Sequence, residues 1–266
     1  MAYISPMLTN IVTAVKKASV NLNRDFSEIE HLQNSVKGSL DFTKIAFDKI
    51  EKGLKNEFGK IMPQMPVVTV NEKQPNDGLY ISVSGIEGLA NFAHGHPEFA
   101  ISAALMNGDT VLSGVVYNPA RDELFFAEKG KGAFKEGFRS HERLRVAARQ
   151  ELEGALIAVK PAVNDTELSA KLINNTLALC HDVRASGSVA LSLAYVAAGK
   201  LDAVIAPDCA VASIAAGVLL VKEAGGMALA MEQADTRTEN LPKVLQSGNL
   251  MAVSFNLSQK IAKILK

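Results

Sequence analysis

The chain has 266 residues, of which 48% are hydrophobic and 21% charged, and its formal net charge is zero. This composition is typical of a globular protein with a substantial core, built as one large domain or two closely joined ones. Zero net charge argues against non-specific binding to nucleic acid or to an anionic membrane. The sequence also lacks an apolar run of about 18 residues, the length that a membrane-spanning helix needs.

Two further features bear on the compartment. The N-terminal stretch, residues 1–19, lacks the basic start, the continuous apolar run and the cleavage site of a secretory signal. The two cysteines, Cys180 and Cys209, match no metal-binding or disulfide framework. We therefore expect a cytoplasmic protein.

The first half of the chain is predicted to hold two helices followed by short strands. Apolar residues recur at helical spacing over 6–23 and 42–58. A loop-rich connection with three prolines follows over 61–80. Strands are predicted at 79–83, 100–106, 111–117 and 124–127, with a hairpin turn at Asn107-Gly108-Asp109 and a glycine-rich turn at 128–132.

In the second half, strands and helices alternate. The polar run 139–145 is predicted to join an N-terminal half, residues 1–145, to a C-terminal half, residues 146–266, tightly packed as one unit. Alternation of this kind indicates layered α/β sheets. Strands are predicted at 155–159, 202–206, 227–230 and 251–254, and helices at 167–179, 189–198, 212–224 and 257–265.

The most specific pattern lies in residues 80–102, YISVSGIEGLANFAHGHPEFAIS. A strand leads into a glycine-punctuated turn over Ser84–Gly88, and a helix start is predicted at Leu89–Phe92. This segment resembles, without a gap, the D-P-I-D-G-T-x-N-F signature of the inositol monophosphatase family. The matching residues are Ile86, Gly88, Asn91 and Phe92.

Further blocks extend this resemblance over nearly the whole chain. Residues 37–42 resemble the family's K-G-x-x-D-F, and residues 114–134 its hairpin and glycine-rich turn. Residues 184–202, RASGSVALSLAYVAAGKLD, and residues 214–226, ending in E-A-G-G, resemble two more of its blocks. Within the family, the chain resembles the bacterial SuhB-like (extragenic suppressor) branch. The resemblance implies a layered α-β-α-β-α sandwich, often dimeric.

Family members hydrolyse phosphate monoesters with magnesium ions that carboxylates hold. The resemblance places most of these ligands on residues of other chemistry. By this resemblance, the family's upstream Asp falls on Phe47, and its Glu pair falls on Val70 or Asn71. Its two turn Asp residues fall on Ser84 and Glu87, and its water-positioning Thr falls on Leu89. Its sugar-binding Glu falls on Ala206, and its later Asp falls on Ser213. Only Glu87 keeps a carboxylate. Further substrate positions fall on Gly187 and Ser188.

Loss of three or more negative charges leaves a poor magnesium site. We therefore expect no metal cofactor and a non-catalytic binding or regulatory protein. By resemblance to the SuhB branch alone, its partner belongs to the transcription or ribosomal RNA machinery. One alternative is a metal-dependent phosphatase centred on Glu87, with Glu72 or Asp208. Another is a metal-free sensor that holds a phosphorylated ligand on the backbone N–H groups of Gly88, Leu89 and Ala90.

Several residues carry two interpretations. Glu87 is either a residual metal ligand or an acid favoured by the dipole of the following helix. His94 and His96 suggest a transition-metal pair, but they lack obvious further ligands, and ordinary loop residues are the favoured interpretation. Ser84 and Ser213 either donate hydrogen bonds to an anion or neutrally fill former ligand positions. Asp202 is assigned to the scaffold.

Overall fold

The structure, a computed structural model, describes residues 4–29, 36–233 and 239–265. Residues 1–3 of the stretch assessed for a secretory signal lie outside these ranges. The helices are α1 (Pro6–Ile29), α2 (Val36–Ile61), α3 (Leu89–Ala93), α4 (Thr166–Leu179), α5 (Val189–Ala197), α6 (Val211–Glu223), α7 (Leu241–Ser247) and α8 (Ser258–Ile261). Within the described ranges, no helix is long and apolar enough to cross a membrane.

The strands form two sheets. They are β1 (Val67–Thr69), β2 (Leu79–Glu87), β3 (Ala100–Asn107), β4 (Thr110–Asn118), β5 (Glu123–Glu128), β6 (Gly132–Lys135), β7 (Glu142–Arg143), β8 (Leu156–Val159), β9 (Asp182–Arg184), β10 (Ala203–Ala206), β11 (Gly226–Ala230) and β12 (Leu250–Ser254). The first sheet has the order β1-β2-β3-β4-β5-β6-β7 and is antiparallel except for β1 beside β2. The second has the order β11-β12-β10-β8-β9.

Three hydrophobic cores separate five layers. The first packs α1 and α2 on the outer face of the first sheet, with Ile11 and Phe58 fully buried. The second fills the space between the sheets with α5 and α6, through Leu193 and Val218. The third packs α4 and α8 on the outer face of the second sheet. The predicted α-β-α-β-α sandwich is therefore confirmed.

Two glycines allow the central helices to approach their neighbours closely. A Cβ on Gly217 of α6 would lie 2.6 Å from the Leu193 Cβ of α5, and a Cβ on Gly114 of β4 would lie 2.8 Å from the Cα of Ala216. Any larger residue there would push a helix away from its neighbour. These contacts set how closely α5 and α6 pack against each other and α6 against β4, and the first turns of both helices belong to the site described below.

The structure corrects several predicted boundaries. The stretch 84–87 is not a turn, because β2 continues to Glu87 through an irregular register with β3 after Ser84. Strands β1, β6, β7 and β9 and helix α7 were not predicted from the sequence, although Asn240 caps α7 and Pro242 stands in its first turn. The predicted closing helix 257–265 consists of α8 flanked by 3-10 turns. The polar run 139–145 contains β7, and the division into two halves at residue 145 stays a prediction.

Candidate functional site

The site begins where β2 ends and the chain turns into α3. Gly88 makes this turn with a φ of 96°, a left-handed conformation that is unfavourable for residues other than glycine. A Cβ at this position would also lie 2.9 Å from the carbonyl oxygen of Glu98. The backbone therefore requires glycine here, and the turn aims the preceding side chain, Glu87, towards the second half of the chain.

Glu87 contacts the first turn of α5. The hydroxyl of Ser188 donates a hydrogen bond to Glu87 Oε2. The N–H of Ala190 donates to the same oxygen at 3.2 Å. Ser188 is at the same time the N-cap of α5, since its Oγ accepts a hydrogen bond from Leu191 N–H at 3.3 Å. The carboxyl group thus satisfies backbone donors that a helix start leaves without intrahelical partners.

The environment of Glu87 opposes its charged form. Burial raises the pKa of its carboxyl group above the ordinary value. The hydrogen bonds from α5 and the positive charge of Lys160 act in the opposite direction but offset only part of this effect. The sequence placed Glu87 at the start of α3, whereas the structure places its carboxyl group at the start of α5.

The two predicted substrate positions, Gly187 and Ser188, lie in a segment held against α3. Asn91 Nδ2 donates to the carbonyl oxygens of Glu98 at 2.6 Å and of Ser186 at 2.7 Å. Gly187 has a φ of 79°, and a Cβ on it would lie 2.8 Å from Asn91 Nδ2. Asn91, which matches the family signature, therefore joins the two halves of the site.

Lys160 is a residue of the site that the sequence did not reveal. It follows β8 directly, and its Nζ donates to the carbonyl oxygens of Pro207 at 2.9 Å, Pro161 at 3.3 Å and Asp208 at 3.3 Å. Together with Gly187 and Ser188 it lines a cavity of about 30 Å³. A lysine at the end of an apolar strand and before a proline, LIAVKP, is the only sequence signal for this role.

The other positions on which the family's ligands fall offer few oxygen atoms that could coordinate a metal. Ala206 is fully buried at the end of β10, and Phe47 packs against the core between α1, α2 and the first sheet. Ser84 is buried in β2, Ser213 lies half-buried in the first turn of α6, and Leu89 is 41% exposed. Val70 and Asn71 follow β1, Val70 half-buried and without a polar side-chain atom. Across the ranges 4–29, 36–233 and 239–265, no three His, Cys, Asp or Glu side chains come together in a way that could hold a metal ion.

This donor set does not fit magnesium. Mg²⁺ requires near-octahedral coordination by oxygen, usually including carboxylates. The one acidic side chain at the carried-over positions, Glu87, is already bonded to α5. We therefore assign no step of any reaction to a metal at these residues.

The acids named as alternative ligands have other partners. Glu72 accepts a hydrogen bond from Thr69 N–H at 2.8 Å and pairs with Lys55 at 2.7 Å; the bond from Lys55 is the main cause that lowers the pKa of Glu72. Asp208, with a φ of 53°, accepts from Val163 N–H at 3.3 Å. Neither acid joins Glu87 in a three-residue group of metal ligands within the described residues.

The histidines and the candidate anion site lie at the short helix α3. His94 ends this helix, which has five residues, and His96 follows in the next turn. Neither histidine belongs to a three-residue group of metal ligands in the part of the chain that the structure describes. Leu89 and Ala90 are exposed in the first turn of α3. Anion binding by Gly88, Leu89 and Ala90 stays a prediction.

A larger cleft adjoins the site at Ser186. It has a volume of about 740 Å³ and is lined mainly by charged side chains of both signs. Glu123 accepts from Lys135 at 2.6 Å, from Tyr195 at 2.9 Å and from Lys200 at 3.2 Å. Burial alone would raise the pKa of Glu123, but these three partners together lower it below the ordinary value. Sequence reasoning missed this cleft because its residues come from elements far apart in the chain.

The comparisons with known proteins agree with this fold. The sequence model described as the inositol monophosphatase family matches residues 4–266. The chain belongs to the inositol monophosphatase family. The inositol-1-monophosphatase of Rhizobium meliloti is 35% identical over 268 residues, which cover 98% of this chain and 97% of that relative. Nus factor SuhB of Escherichia coli is 33% identical over 233 residues, 84% of each chain.

A solved structure shows the same similarity. Extragenic suppressor protein SuhB of Bartonella henselae superposes with a TM-score of 0.83 at 31% identity, covering 98% of this chain and 99% of that one. The predicted family and its SuhB-like resemblance are thus confirmed. Because the relatives include both a named phosphatase and a named Nus factor, the function of this inositol monophosphatase family member depends on its own site residues.

Proposed function

We propose that this inositol monophosphatase family member lacks magnesium-dependent phosphatase activity and works as a cytoplasmic binding or regulatory protein, as a homodimer. The observation that carries the proposal is the position of Glu87. Glu87 is the one carboxylate retained at the positions where the family's ligands fall, and it accepts hydrogen bonds from Ser188 and Ala190 at the start of α5.

The chemistry of the remaining positions supports the same conclusion. Phe47, Leu89 and Ala206 have no side-chain oxygen, the position at Val70 or Asn71 supplies at most a neutral amide oxygen, and the two serines carry no negative charge at neutral pH. Hydrolysis of phosphate monoesters is among the slowest uncatalysed reactions, so an enzyme needs strong stabilisation of the transition state. Metal ions supply this stabilisation through their charge. A site that keeps one of the family's metal-binding carboxylates has lost the main source of the family's rate enhancement.

For a partner, we propose a protein of the transcription or ribosomal RNA machinery. The support comes from relatives such as the Nus factor SuhB of Escherichia coli, which this chain matches over most of its length. Affinity purification from the native cytoplasm, with the chain at its natural level, tests this proposal. We expect components of that machinery to co-purify, and recovery of the chain without any of them contradicts the proposal.

A second candidate is a phosphatase with altered metal use, favoured by the 35% identity to a relative named inositol-1-monophosphatase. It predicts turnover of inositol or sugar phosphates that requires magnesium or manganese and disappears in Glu87→Ala. The binding-protein proposal predicts no turnover, or equal traces in both proteins from a contaminant. The same assay therefore separates the two functions.

A third candidate is a metal-free sensor of a phosphorylated ligand, favoured by the exposed first turn of α3 at Leu89 and Ala90. Helix N-termini attract phosphate through their backbone N–H groups. Such a sensor would be stabilised against heat by its ligand in the presence of a chelator. An unchanged Tm across a panel of sugar and inositol phosphates rules this function out for those ligands.

A further inference from the structure

Positive charge is concentrated in one segment of this chain, although the net charge of the whole chain is zero. Residues 129–149 hold seven lysine or arginine residues and two glutamates. Lys131, Lys135 and Arg149 form ion pairs with acids of the fold, and one of the two glutamates, Glu136, pairs with a lysine of α1. The charge that the fold leaves without a partner lies further along the segment, in three arginines.

These three arginines and one aromatic residue form an exposed surface, the basic strip, which consists of Phe138, Arg139, Arg143 and Arg145. All four residues are exposed, Phe138 to 99%. None of the three arginines has an ion pair or a side-chain hydrogen bond with any residue that the structure describes. Glu142 is the one acid between them in the sequence. The strip therefore presents a net positive charge to the solvent.

The backbone of the strip is held firmly by the fold. Leu144 is buried, and its N–H donates to a carbonyl oxygen of β6 at 2.8 Å. The N–H of Val146 donates at 3.1 Å to the carbonyl oxygen of the residue that follows α6. The ring of His141 packs edge-on against Phe126, with 5.0 Å between the ring centroids. The arginines thus project from a fixed backbone, which lowers the entropic cost of binding a ligand there.

A tight turn presents Phe138 to the solvent. A Cβ on Gly137 would lie 2.4 Å from the carbonyl oxygen of Ser140, so the turn requires glycine at its start. A single exposed apolar residue is common on protein surfaces and needs no explanation by itself. Here the free aromatic ring stands beside arginines without partners, and that combination matches a ligand with both phosphates and planar rings.

We propose that the basic strip binds a single-stranded nucleic acid, with the three arginines on its phosphates and the ring of Phe138 stacked on an unpaired base. The planar guanidinium group matches two phosphate oxygens at once, and the partnerless cations of the strip are all arginines. Stacking of bases on exposed aromatic rings is the other recurring contact of proteins that bind single strands. The bases of a duplex are already stacked on each other, so a duplex does not offer Phe138 this contact.

The inference goes beyond the proposed function, because the strip shares no residue with the site around Glu87. An acidic peptide or an anionic membrane would meet the same positive charges, but neither provides an unpaired base for the ring of Phe138. The combination of arginines and a free aromatic ring therefore favours the nucleic acid, and the other two partners become outcomes of the test.

Fluorescence anisotropy with a labelled short oligouridylate, titrated at increasing salt, tests the role of the arginines. Each phosphate neutralised on a single strand contributes about −0.7 to the slope of the logarithm of the association constant against the logarithm of the salt concentration, so three arginines predict a slope of about −2. The triple variant Arg139→Gln, Arg143→Gln, Arg145→Gln should bind about tenfold more weakly or worse at low salt, with a slope near zero.

A second triple variant, Lys44→Gln, Lys52→Gln, Lys171→Gln, is the matched control. It removes the same number of positive charges from exposed positions outside the strip. We expect its affinity for the oligouridylate and its salt slope to equal those of the wild type. Equal affinities of the arginine variant and this lysine variant would overturn the proposal, because the binding would then follow the net charge of the chain.

Replacement of Phe138 separates stacking from charge. Phe138→Ala and Phe138→Leu should each weaken binding about fivefold or more, because stacking on an aromatic ring contributes roughly 1–3 kcal/mol per base. Both variants should keep the salt slope of the wild type. Unchanged affinity in both variants, or a duplex of the same length bound as tightly as the single strand, would overturn the stacking role and with it the proposal.

Vesicles of phosphatidylcholine and phosphatidylserine, and a polyglutamate peptide, provide the remaining comparisons. Binding of either probe through the strip, without binding of the oligouridylate, would contradict the proposal. The replaced side chains are exposed, so we expect each variant to keep the wild-type Tm. If the arginine triple variant does not fold, Arg139→Gln and Phe138→Ala, which both lie in the turn after Gly137, decide the same question: unchanged affinity in both contradicts the proposal.

Discussion

Replacement of Glu87 by Ala tests whether this side chain holds the fold together. Its carboxyl group accepts from the Ser188 hydroxyl and from the N–H group of Ala190. Hydrogen bonds to a charged group contribute roughly 1.5–3 kcal/mol each, so two bonds alone would suggest about 3 kcal/mol or more. Burial of the carboxyl group offsets part of this sum, and water can reach the donors in the variant. We expect a net loss of about 2 kcal/mol, or a fall in Tm of roughly 4–8 °C.

Thermal and urea denaturation of the purified variant measure this loss. Glu151→Ala is the matched control, because Glu151 is 66% exposed and its pairing with Lys260 is at the surface. Removal of such a pair typically changes stability by about 1 kcal/mol or less. If Glu87→Ala is destabilised no more than Glu151→Ala, the hydrogen bonds to α5 contribute nothing and the structural role of Glu87 is refuted.

Glu87→Gln refines the test, because the amide is neutral and keeps one oxygen acceptor. Burial raises the pKa of Glu87 in the folded state. Between the ordinary carboxyl pKa and this raised value, the folded chain holds a proton that the unfolded chain has released, so wild-type stability falls as the pH rises. The stability of Glu87→Gln relative to the wild type should therefore increase from acidic to neutral pH, as followed by urea denaturation. A constant difference would contradict the raised pKa.

Three further variants test the neighbouring features. Gly88→Ala should lose about 2–4 kcal/mol, because its φ of 96° and the nearby Glu98 carbonyl leave no place for a Cβ; a Tm within one degree of the wild type would exclude this strain. Asn91→Ala should lose about 1–3 kcal/mol in urea denaturation, because two carbonyls lose their donor, and a neutral result would mean that water replaces the amide. The lowered pKa of Glu123 in the folded state stabilises the fold at pH values above the ordinary carboxyl pKa, and this stabilisation is lost as the pH falls through the pKa of the folded state. The free energy of unfolding of the wild type should therefore exceed that of Glu123→Gln by less in acid than at neutral pH. A difference that grows in acid contradicts the lowered pKa.

Much of the fold was predictable because its long elements carry clear periodicity. The apolar spacing of 6–23 predicted α1, since helices repeat every 3.6 residues. The turn residues Asn107-Gly108-Asp109 between two apolar runs predicted the β3–β4 hairpin. Short strands such as β1 and β9, with three residues each, carry no such pattern. These strands form because they pair with a neighbouring strand, β2 for β1 and β8 for β9, and a local sequence pattern does not show that pairing.

The family resemblance named candidate residues for the site but not their contacts. The family resemblance identified Glu87 and Ser188, yet the two residues are separated by 101 positions, and no spacing rule shows that they bond. Lys160 was missed for the same reason, because two of its three carbonyl acceptors lie in the loop after β10. Side-chain chemistry can be read from a sequence, whereas the choice among competing partners depends on the packing of the two sheets.

Phosphatase turnover tests the central claim most directly. The chain would be assayed at high concentration on a panel of inositol and sugar phosphates with magnesium or manganese, beside Glu87→Ala purified in the same way. The account predicts no turnover above background, or an equal trace in both proteins. Metal-dependent turnover in the wild type that disappears in Glu87→Ala would show a working metal site and contradict the account.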